Sequence, residues 1–235
     1  MQALELADVT ISYRDHGNPE LSVAQLRLGC GETMAVTGRA DIGKRALHNI
    51  LAGLEKPTTG RVLWNEVDIA ALSAPRRDRW RARHMGLMSR ETNLFPGLSI
   101  MDNVLLPTGL GRGNGFGFWR GSAALRERAV MLIGRVGLTD PGRPVDDLSR
   151  GERRRAALAR MLLKRPDILL VDDPTGDLPP HAAEAIGDSL LALAREERVT
   201  LVAFTDDERL ISRVDHIAPL RAGRILSEGC LEMAS

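Results

Sequence analysis

The stretch GRADIGKRA at positions 38–46 constrains the fold of this chain more than any other feature. Gly38, Gly43 and Lys44 complete the G-x-x-x-x-G-K pattern of a loop that wraps phosphate groups with backbone N–H groups. The pattern has this meaning only where a buried strand precedes the loop and a helix follows it. Residues 33–37 predict such a strand and residues 44–54 predict the helix, so the required context is present.

The residue after the lysine departs from this pattern. Loops of this kind place Ser or Thr there, because the hydroxyl binds Mg²⁺, whereas this chain has Arg45. A guanidinium cannot bind a metal cation. The loop therefore predicts phosphate binding, together with weak or absent hydrolysis.

Apolar runs along the rest of the chain predict alternating strands and helices. Three of the predicted strands, at residues 33–37, 168–171 and 200–204, have apolar centres, as expected of central parallel strands covered on both faces. The pattern therefore predicts an α/β fold. The other predicted strands span residues 4–11, 21–28, 61–67 and 216–220, and the other predicted helices span 123–136, 151–163 and 181–197.

Composition excludes several classes of protein. With 32 basic and 31 acidic residues, the net charge argues neither for nucleic acid nor for an anionic membrane as a partner. Cys30 and Cys230 form neither a metal-binding spacing nor a disulfide framework. The first residues lack the pattern of a signal peptide, and no apolar run reaches the roughly 18 residues of a spanning helix. We therefore expect a cytosolic protein unless a membrane partner holds it.

The segment LSRGERRRAALARMLLKRPDILLVDDPTGDLP, at residues 148–179, resembles the signature helix and Walker B strand of ATP-binding cassette (ABC) subunits. The usual form there is LSGGQ-x-QR-x-x-x-ARAL, then four apolar residues and D-E-P-T-x-x-L-D. Residues 83–107 are similar to the Q-loop region of the branch that serves lipoprotein-releasing and macrolide-efflux transporters.

This resemblance implies a P-loop NTPase fold with a RecA-like core, an antiparallel β subdomain and a helical subdomain. A single nucleotide-binding domain would cover residues 1–235, with the core at about 1–90 and 148–235. The helical subdomain would occupy about 91–147 and contains the glycine-rich stretch 109–121. Phe116, Phe118 and Trp119 in that stretch either fold back on the subdomain or contact a partner.

The resemblance also implies which residues hold nucleotide. Tyr13 would stack on adenine, unless it is a core aromatic instead. Asp41 replaces a family glycine and is repulsive to phosphate unless Arg39 or Arg45 pairs with it. The phosphate-binding residues would be Gly38, Arg39, Ala40, Asp41, Ile42, Gly43, Lys44, Arg45 and Ala46.

At the remaining family motifs, several side chains differ from the usual ones. Arg90 stands at the Q-loop glutamine, which ligates Mg²⁺ in the family, and Pro179 at the D-loop aspartate. In the signature, Ser149 and Gly151 remain and would reach a partner's γ-phosphate. Its predicted residues are Leu148, Ser149, Arg150, Gly151 and Glu152, with Arg150 in place of a glycine and Glu152 in place of the glutamine.

The Walker B motif and the position of the family's switch histidine also differ from the usual sequence. Asp172 keeps the carboxylate that would bind Mg²⁺, whereas Asp173 replaces the catalytic glutamate and Asp206 the switch histidine. Losing one methylene draws the Asp173 carboxylate back by roughly 1 Å from the water that a general base must reach. We therefore expect ATP as the candidate ligand, no dependable Mg²⁺ site, and a pseudo-ATPase.

The replaced charges suggest two interpretations. Either the arginines substitute for Mg²⁺, or Arg45 pairs with Asp172 and Arg90 with Asp206, so that salt bridges close the site without nucleotide. The run of charges at residues 152–155 is interpreted as a solvated helix face rather than a nucleic-acid contact.

Three functions are compatible with these residues. The first is a degenerate nucleotide-binding subunit, peripheral on the inner face of the cell membrane, that partners a permease subunit. It would form a homodimer or a heterodimer with another ATP-binding subunit, and the retained Ser149 and Gly151 favour the heteromer. The second is a slow ATPase that uses Lys44, Asp172 and Asp173. The third is a regulatory or scaffold protein, with no nucleic-acid partner.

Overall fold

The computed structural model describes residues 2–13, 19–39, 42–108 and 122–226, and these contain ten strands and seven α-helices. The strands are β1 (Gln2–Ile11), β2 (Leu21–Gly29), β3 (Thr33–Thr37), β4 (Thr59–Trp64), β5 (Val67–Asp68), β6 (Met85–Met88), β7 (Ile168–Asp172), β8 (Thr200–Phe204), β9 (His216–Arg221) and β10 (Arg224–Ile225). The helices are α1 (Ile42–Leu51), α2 (Ala74–His84), α3 (Ile100–Leu105), α4 (Ala123–Arg135), α5 (Arg150–Leu162), α6 (Pro180–Glu197) and α7 (Glu208–Ile211).

One curled sheet contains all these strands, in the order β5-β4-β1-β2-β10-β9-β3-β8-β7-β6. The half from β5 to β2 is antiparallel, and the half from β9 to β6 is parallel. The short strand β10 joins the halves, because it pairs with both β2 and β9. The sheet thus combines a parallel core with an antiparallel β layer, as the predicted fold class requires.

The parallel strands separate two apolar cores. Successive side chains of a strand point to opposite faces, so a strand that is apolar throughout contributes to both. On β7, Leu169 and Val171 pack in the core beneath α3–α6, whereas Ile168 and Leu170 pack in the core shared with α1 and the antiparallel layer. In the second core, fully buried Trp64 donates a hydrogen bond from Nε1 to the carbonyl of Leu51 at 3.0 Å.

Several predicted boundaries were wrong for local reasons. The strand predicted at 61–67 is interrupted, because Asn65 and Glu66 adopt positive φ angles of 47° and 68° in a turn between β4 and β5. The helix predicted at 44–54 ends at Leu51, just before Gly53 at φ 62°. Helix α2 was not predicted, because it has no buried residue and therefore no apolar periodicity.

Helices α3 and α4 lie between β6 and α5 in the chain, and each packs on α5 as well as on the other. Side-chain caps begin both helices, with Ser99 accepting from Asp102 N and Ser122 from Leu125 N.

The predicted contact residues Phe116, Phe118 and Trp119 fall outside the described ranges. Within those ranges, none of the helices has the length and apolar character needed to span a bilayer.

Candidate functional site

The carboxyl ends of four neighbouring parallel strands meet at one edge of the sheet, where open α/β sheets bind ligands. The loop at Gly38 follows β3, Asp206 follows β8, Asp173 follows β7 and Arg90 follows β6. A cavity of about 770 Å³ opens at this edge. It is lined by Lys44, Arg45, His48, Arg90, Asp172, Asp173, Thr175, Gly176, Phe204, Thr205, Asp206, Asp207, Glu208 and Arg209.

The glycine loop reaches this cavity through backbone that only glycine fits. Gly38 has φ 125°, and a Cβ there would lie 2.1 Å from the carbonyl oxygen of Leu220. Gly43 and Ala46 are buried in α1, whereas Arg39 and Arg45 are exposed. Ala40 and Asp41 lie outside the described residues, and of Ile42 only its place at the start of α1 is described, so the pairing of Asp41 stays a prediction.

Asp206 contacts the same groups that a phosphate-binding loop offers to phosphate. Its Oδ1 accepts a hydrogen bond from the Gly38 amide at 2.7 Å, and its Oδ2 lies 2.9 Å from the Lys44 ammonium. Lys44 also donates to the carbonyl oxygen of Gly38 at 2.8 Å. An anion of the chain itself therefore occupies this part of the loop, with 58% of the Asp206 side chain still exposed.

The predicted pair between Arg90 and Asp206 is wrong. Arg90 Nε instead lies 3.5 Å from Asp173 Oδ2, and its Nη2 lies 3.0 Å from Asp177 Oδ2. The strand order explains this, because β6 adjoins β7 while β8 lies one strand further, beside β3. The hydrogen bond to Asp177, together with the charges of Asp177 and Asp173, raises the pKa of Arg90 above its ordinary value.

The predicted pair between Arg45 and Asp172 is also wrong, since neither makes an ion pair within 4.0 Å with any described residue. Arg45 lies exposed on α1, whereas Asp172 ends β7 half-buried, in register with Phe204. Both nevertheless line the cavity. Of the two arginines proposed as replacements for a metal, only Arg90 is held against a Walker B carboxylate.

Asp173 sits in a strained turn that directs its carboxylate. Its φ is 48°, and its amide donates to the carbonyl oxygen of Phe204 at 2.8 Å. The carboxylate lies over Gly176, where a Cβ would come within 2.0 Å of Asp173 Oδ2. The side chain at the catalytic position is thereby held toward Gly176 and Arg90.

Arg154 is a buried residue that holds this turn through hydrogen bonds. The prediction that the charge run at residues 152–155 lies on a solvated helix face is wrong for this residue. Only 6% of Arg154 is exposed, and its guanidinium donates to the carbonyl oxygens of Asp173 at 2.6 Å and Gly176 at 3.1 Å. Burial lowers its pKa, although nearby Asp173 and Asp177 oppose that shift. Arg153 is exposed, as predicted. Helical spacing could have revealed the difference, because Ala157, Leu158 and Met161 follow Arg154 on one buried face.

The signature residues form a separate group at the start of α5, where Leu148 is buried. Ser149 caps the helix by accepting from Glu152 N, and the Glu152 carboxylate accepts from Ser149 N at 2.8 Å. The hydrogen bonds from the backbone and side chain of Ser149, with the nearby Arg143, lower the pKa of Glu152 to about 2.

A second cavity, of about 730 Å³, borders Ser149, Arg150 and Gly151. It shares none of its described lining residues with the cavity at Lys44. The signature of a chain therefore does not border that chain's own phosphate-binding loop.

Tyr13 lies beyond the end of β1 with 49% of its surface exposed, which contradicts the alternative of a core aromatic. Its hydroxyl donates to Glu55 Oε2 at 2.9 Å, and partial burial together with Glu55 raises its pKa to about 12. Its stacking on adenine stays a prediction.

Over the residues that the structure describes, no cluster of three or more His, Cys, Asp or Glu side chains is placed to hold a metal ion.

Comparison with known proteins gives matches that agree with one another. The family described as ABC transporter matches residues 21–176. The lipoprotein-releasing system ATP-binding protein LolD 1 of Rhodospirillum rubrum is 35% identical over 236 residues, which covers 96% of this chain and 98% of that protein. The methionine import ATP-binding protein MetN of Caulobacter vibrioides is 34% identical over 96% of this chain, which spans 66% of the length of MetN.

Solved structures agree with the sequence matches. The dimeric post-hydrolysis structure of the ATP-binding cassette MJ0796 bound to ADP and Pi superposes with a TM-score of 0.80 at 26% identity, over 96% of this chain and 97% of that one. The predicted P-loop fold class is confirmed by this likeness together with the sheet topology.

Proposed function

The chain belongs to the ABC transporter family, and we propose that it is a nucleotide-binding subunit whose own site is too impaired to hydrolyse ATP measurably. We further propose that it lies on the inner face of the cell membrane against a permease subunit. The likeness to ATP-binding subunits such as LolD 1 supports the assignment to a transporter.

The contact of Asp206 with Lys44 and Gly38 is the observation that best supports the proposal of an impaired site. A triphosphate needs the same ammonium and amide groups, so it has to displace the carboxylate before it can bind. The cavity also holds five carboxylates against four Lys and Arg side chains. The net charge of the cavity lining is therefore slightly negative, and it disfavours a bound polyanion compared with a glycine loop that has no such carboxylates around it.

The residues of the site do not fit a magnesium ion. Arg45 offers no hydroxyl and Arg90 no amide oxygen, so Asp172 is the one family position for Mg²⁺ that keeps an oxygen ligand. The Arg90 guanidinium next to Asp173 instead adds a fixed positive charge on the Walker B side. We propose that any ATP held by Tyr13, Gly38 and Lys44 binds without Mg²⁺.

The separation of the two cavities supports an assembly of two nucleotide-binding subunits. Ser149 and Gly151 stand at the helix N-terminus, where amide groups favour anions, but they do not border the Lys44 cavity of their own chain. They would complete the site of a second subunit, and we propose a paralogue with an intact glycine loop as that subunit. The solved MJ0796 cassette is a dimer.

One observation favours a slow ATPase as the second candidate. The contact between Arg90 and Asp173 is long, at 3.5 Å, and lies at an exposed arginine, where ion pairs are weak. Asp173 could therefore leave Arg90 and turn toward a water, with Lys44 and Asp172 lining the same cavity.

The deciding experiment measures ATP affinity of the purified chain with and without Mg²⁺, in parallel with phosphate release. Lys44→Ala is the control that should abolish binding. Binding that is weak, insensitive to Mg²⁺ and without release supports the proposal. Mg²⁺-dependent release would refute it and favour the slow ATPase.

A further inference from the structure

A second charged feature lies at the opposite end of the parallel strands, on helix α2. This helix reads APRRDRWRARH, with five arginines, one aspartate and no buried residue. Trp80 is the residue of α2 that packs, partly buried, against the second core, so the helix gains little from packing. Like charges three or four residues apart also destabilise it. The concentration of arginine is therefore not explained by the stability of the helix.

Local partners account for only part of this charge. Arg81 pairs with Asp78 at 2.7 Å, and Arg77 donates to the carbonyl oxygen of Gly53 at 2.8 Å. Arg79 and Arg83 point elsewhere, one turn apart on the same side of α2. Neither forms an ion pair with any residue in the described ranges.

These two arginines line a groove of about 620 Å³ between α2, the start of α4 and the chain just after α5. Lys164 and Arg165 line its far side and are likewise without an ion pair to a described residue. Arg128 forms part of the groove but is already bound to Glu197 and to the carbonyl of Leu163. The remaining described lining residues are Ala82, Ala124, Leu125 and Leu163, so none of the described residues that border the groove carries a carboxylate.

Four cations that form no ion pair with a described residue surround an apolar floor, and they define the chemistry of a ligand. Arg79 also donates one hydrogen bond from Nε to the carbonyl oxygen of Pro75 at 3.1 Å, which leaves its charge uncompensated. Guanidinium and ammonium groups donate hydrogen bonds and accept none, which suits the oxygens of a phosphate. The leucine and alanine side chains suit an apolar part attached to it. Partial burial lowers the pKa of Lys164, as expected of a cation that lacks a nearby counter-charge.

We infer that this groove is a binding site for a phosphate-bearing anion, supplied by the headgroup of an anionic phospholipid. The choice of a lipid rests on the proposed place of the chain at a membrane. The nearly balanced total charge does not reveal this site, because it does not show that four cations without an ion pair lie around one groove.

The test measures partition of the purified chain into phosphatidylglycerol vesicles and phosphatidylcholine vesicles, by co-sedimentation without nucleotide. A double variant, Arg79→Gln with Lys164→Gln, removes two exposed cations of the groove. The matched control, Lys56→Gln with Arg61→Gln, removes two exposed cations from a different part of the surface. Each basic residue at an anionic surface contributes about fivefold to binding, so the groove variant should partition about 25-fold less.

Binding to phosphatidylglycerol alone, lost in the groove variant and kept within about twofold in the control, would support the inference. Equal losses in both variants would overturn it, because binding would then follow total charge. Glycerol phosphate binding as tightly as the vesicles would overturn the lipid source. Oligonucleotide binding lost in the same variant, without vesicle binding, would assign the groove to nucleic acid and overturn the inference. Because no nucleotide is present, failure here leaves the ATP measurement unaffected.

Discussion

The carboxylate of Asp206 lies 2.9 Å from the ammonium group of Lys44 and joins the end of β8 to the glycine loop after β3. The two residues are 162 positions apart in the chain. They meet because β8 is the neighbour of β3 in the sheet, with Val36 and Phe204 in register. A phosphate entering the loop has to break this contact, which makes it the natural first target for mutation.

Asp206→Asn should tighten ATP binding. The amide can still accept a hydrogen bond from Gly38 but no longer neutralises Lys44 or repels phosphate. Because the side chain is exposed, we expect a modest gain of roughly fivefold to tenfold in affinity, measured by isothermal titration calorimetry. The matched control is Asp188→Asn, which removes a carboxylate that is 56% exposed and pairs with Arg213 on another face. Equal affinities of both variants and the parent would contradict the phosphate-mimicking role.

Arg90→Gln should make nucleotide binding sensitive to Mg²⁺. The substitution removes the cation held by Asp173 and Asp177 and supplies an amide oxygen in the cavity that Asp172 also lines. We expect Mg²⁺ to tighten ATP binding by about fivefold in this variant and to have no effect in the parent. Arg224→Gln, at an exposed arginine of β10, controls for total charge. A variant that remains insensitive to Mg²⁺ would show that Arg90 does not exclude the metal.

Arg154→Met should destabilise the fold by about 2–4 kcal/mol, because the carbonyl oxygens of Asp173 and Gly176 lose their buried donors. Urea unfolding followed by circular dichroism measures the change. The neighbouring Arg153→Met is the matched control, since Arg153 also donates to a carbonyl oxygen, that of Asp146, but is exposed. Its effect should stay within about 0.5 kcal/mol. Equal effects would mean that burial of Arg154 contributes nothing.

Glu152→Gln should flatten the acid dependence of stability. Folding lowers the pKa of Glu152 from 4.5 to about 2, so its stabilisation is complete above pH 4.5 and is lost as the pH falls toward 2. The parent should therefore lose more stability than the variant between these pH values, and the two should converge at the acid end. Urea midpoints across this range measure the effect, with the exposed Glu127→Gln as control. A constant difference between parent and variant would contradict the role of the carboxylate.

The sequence by itself determined the fold class and the position of the glycine loop. The apolar runs of β3, β7 and β8 and the glycine at position 38 express local requirements, namely side-chain burial and a positive φ angle. Local requirements can be read from neighbouring residues. The same reasoning missed α2, whose exposed surface leaves no periodic signal, and placed Arg154 in solvent although its helical neighbours are buried.

Only the tertiary structure decided which charges meet. Arg90 and Asp206 had complementary signs, but β7 separates β6 from β8, so Arg90 contacts Asp173 and Asp177 instead. Strand order is a property of the whole sheet and is not encoded in the spacing of any one motif. The same holds for the groove at Arg79 and Lys164, which are 85 positions apart and share a surface because α2 and α5 both end at the amino ends of β6 and β7.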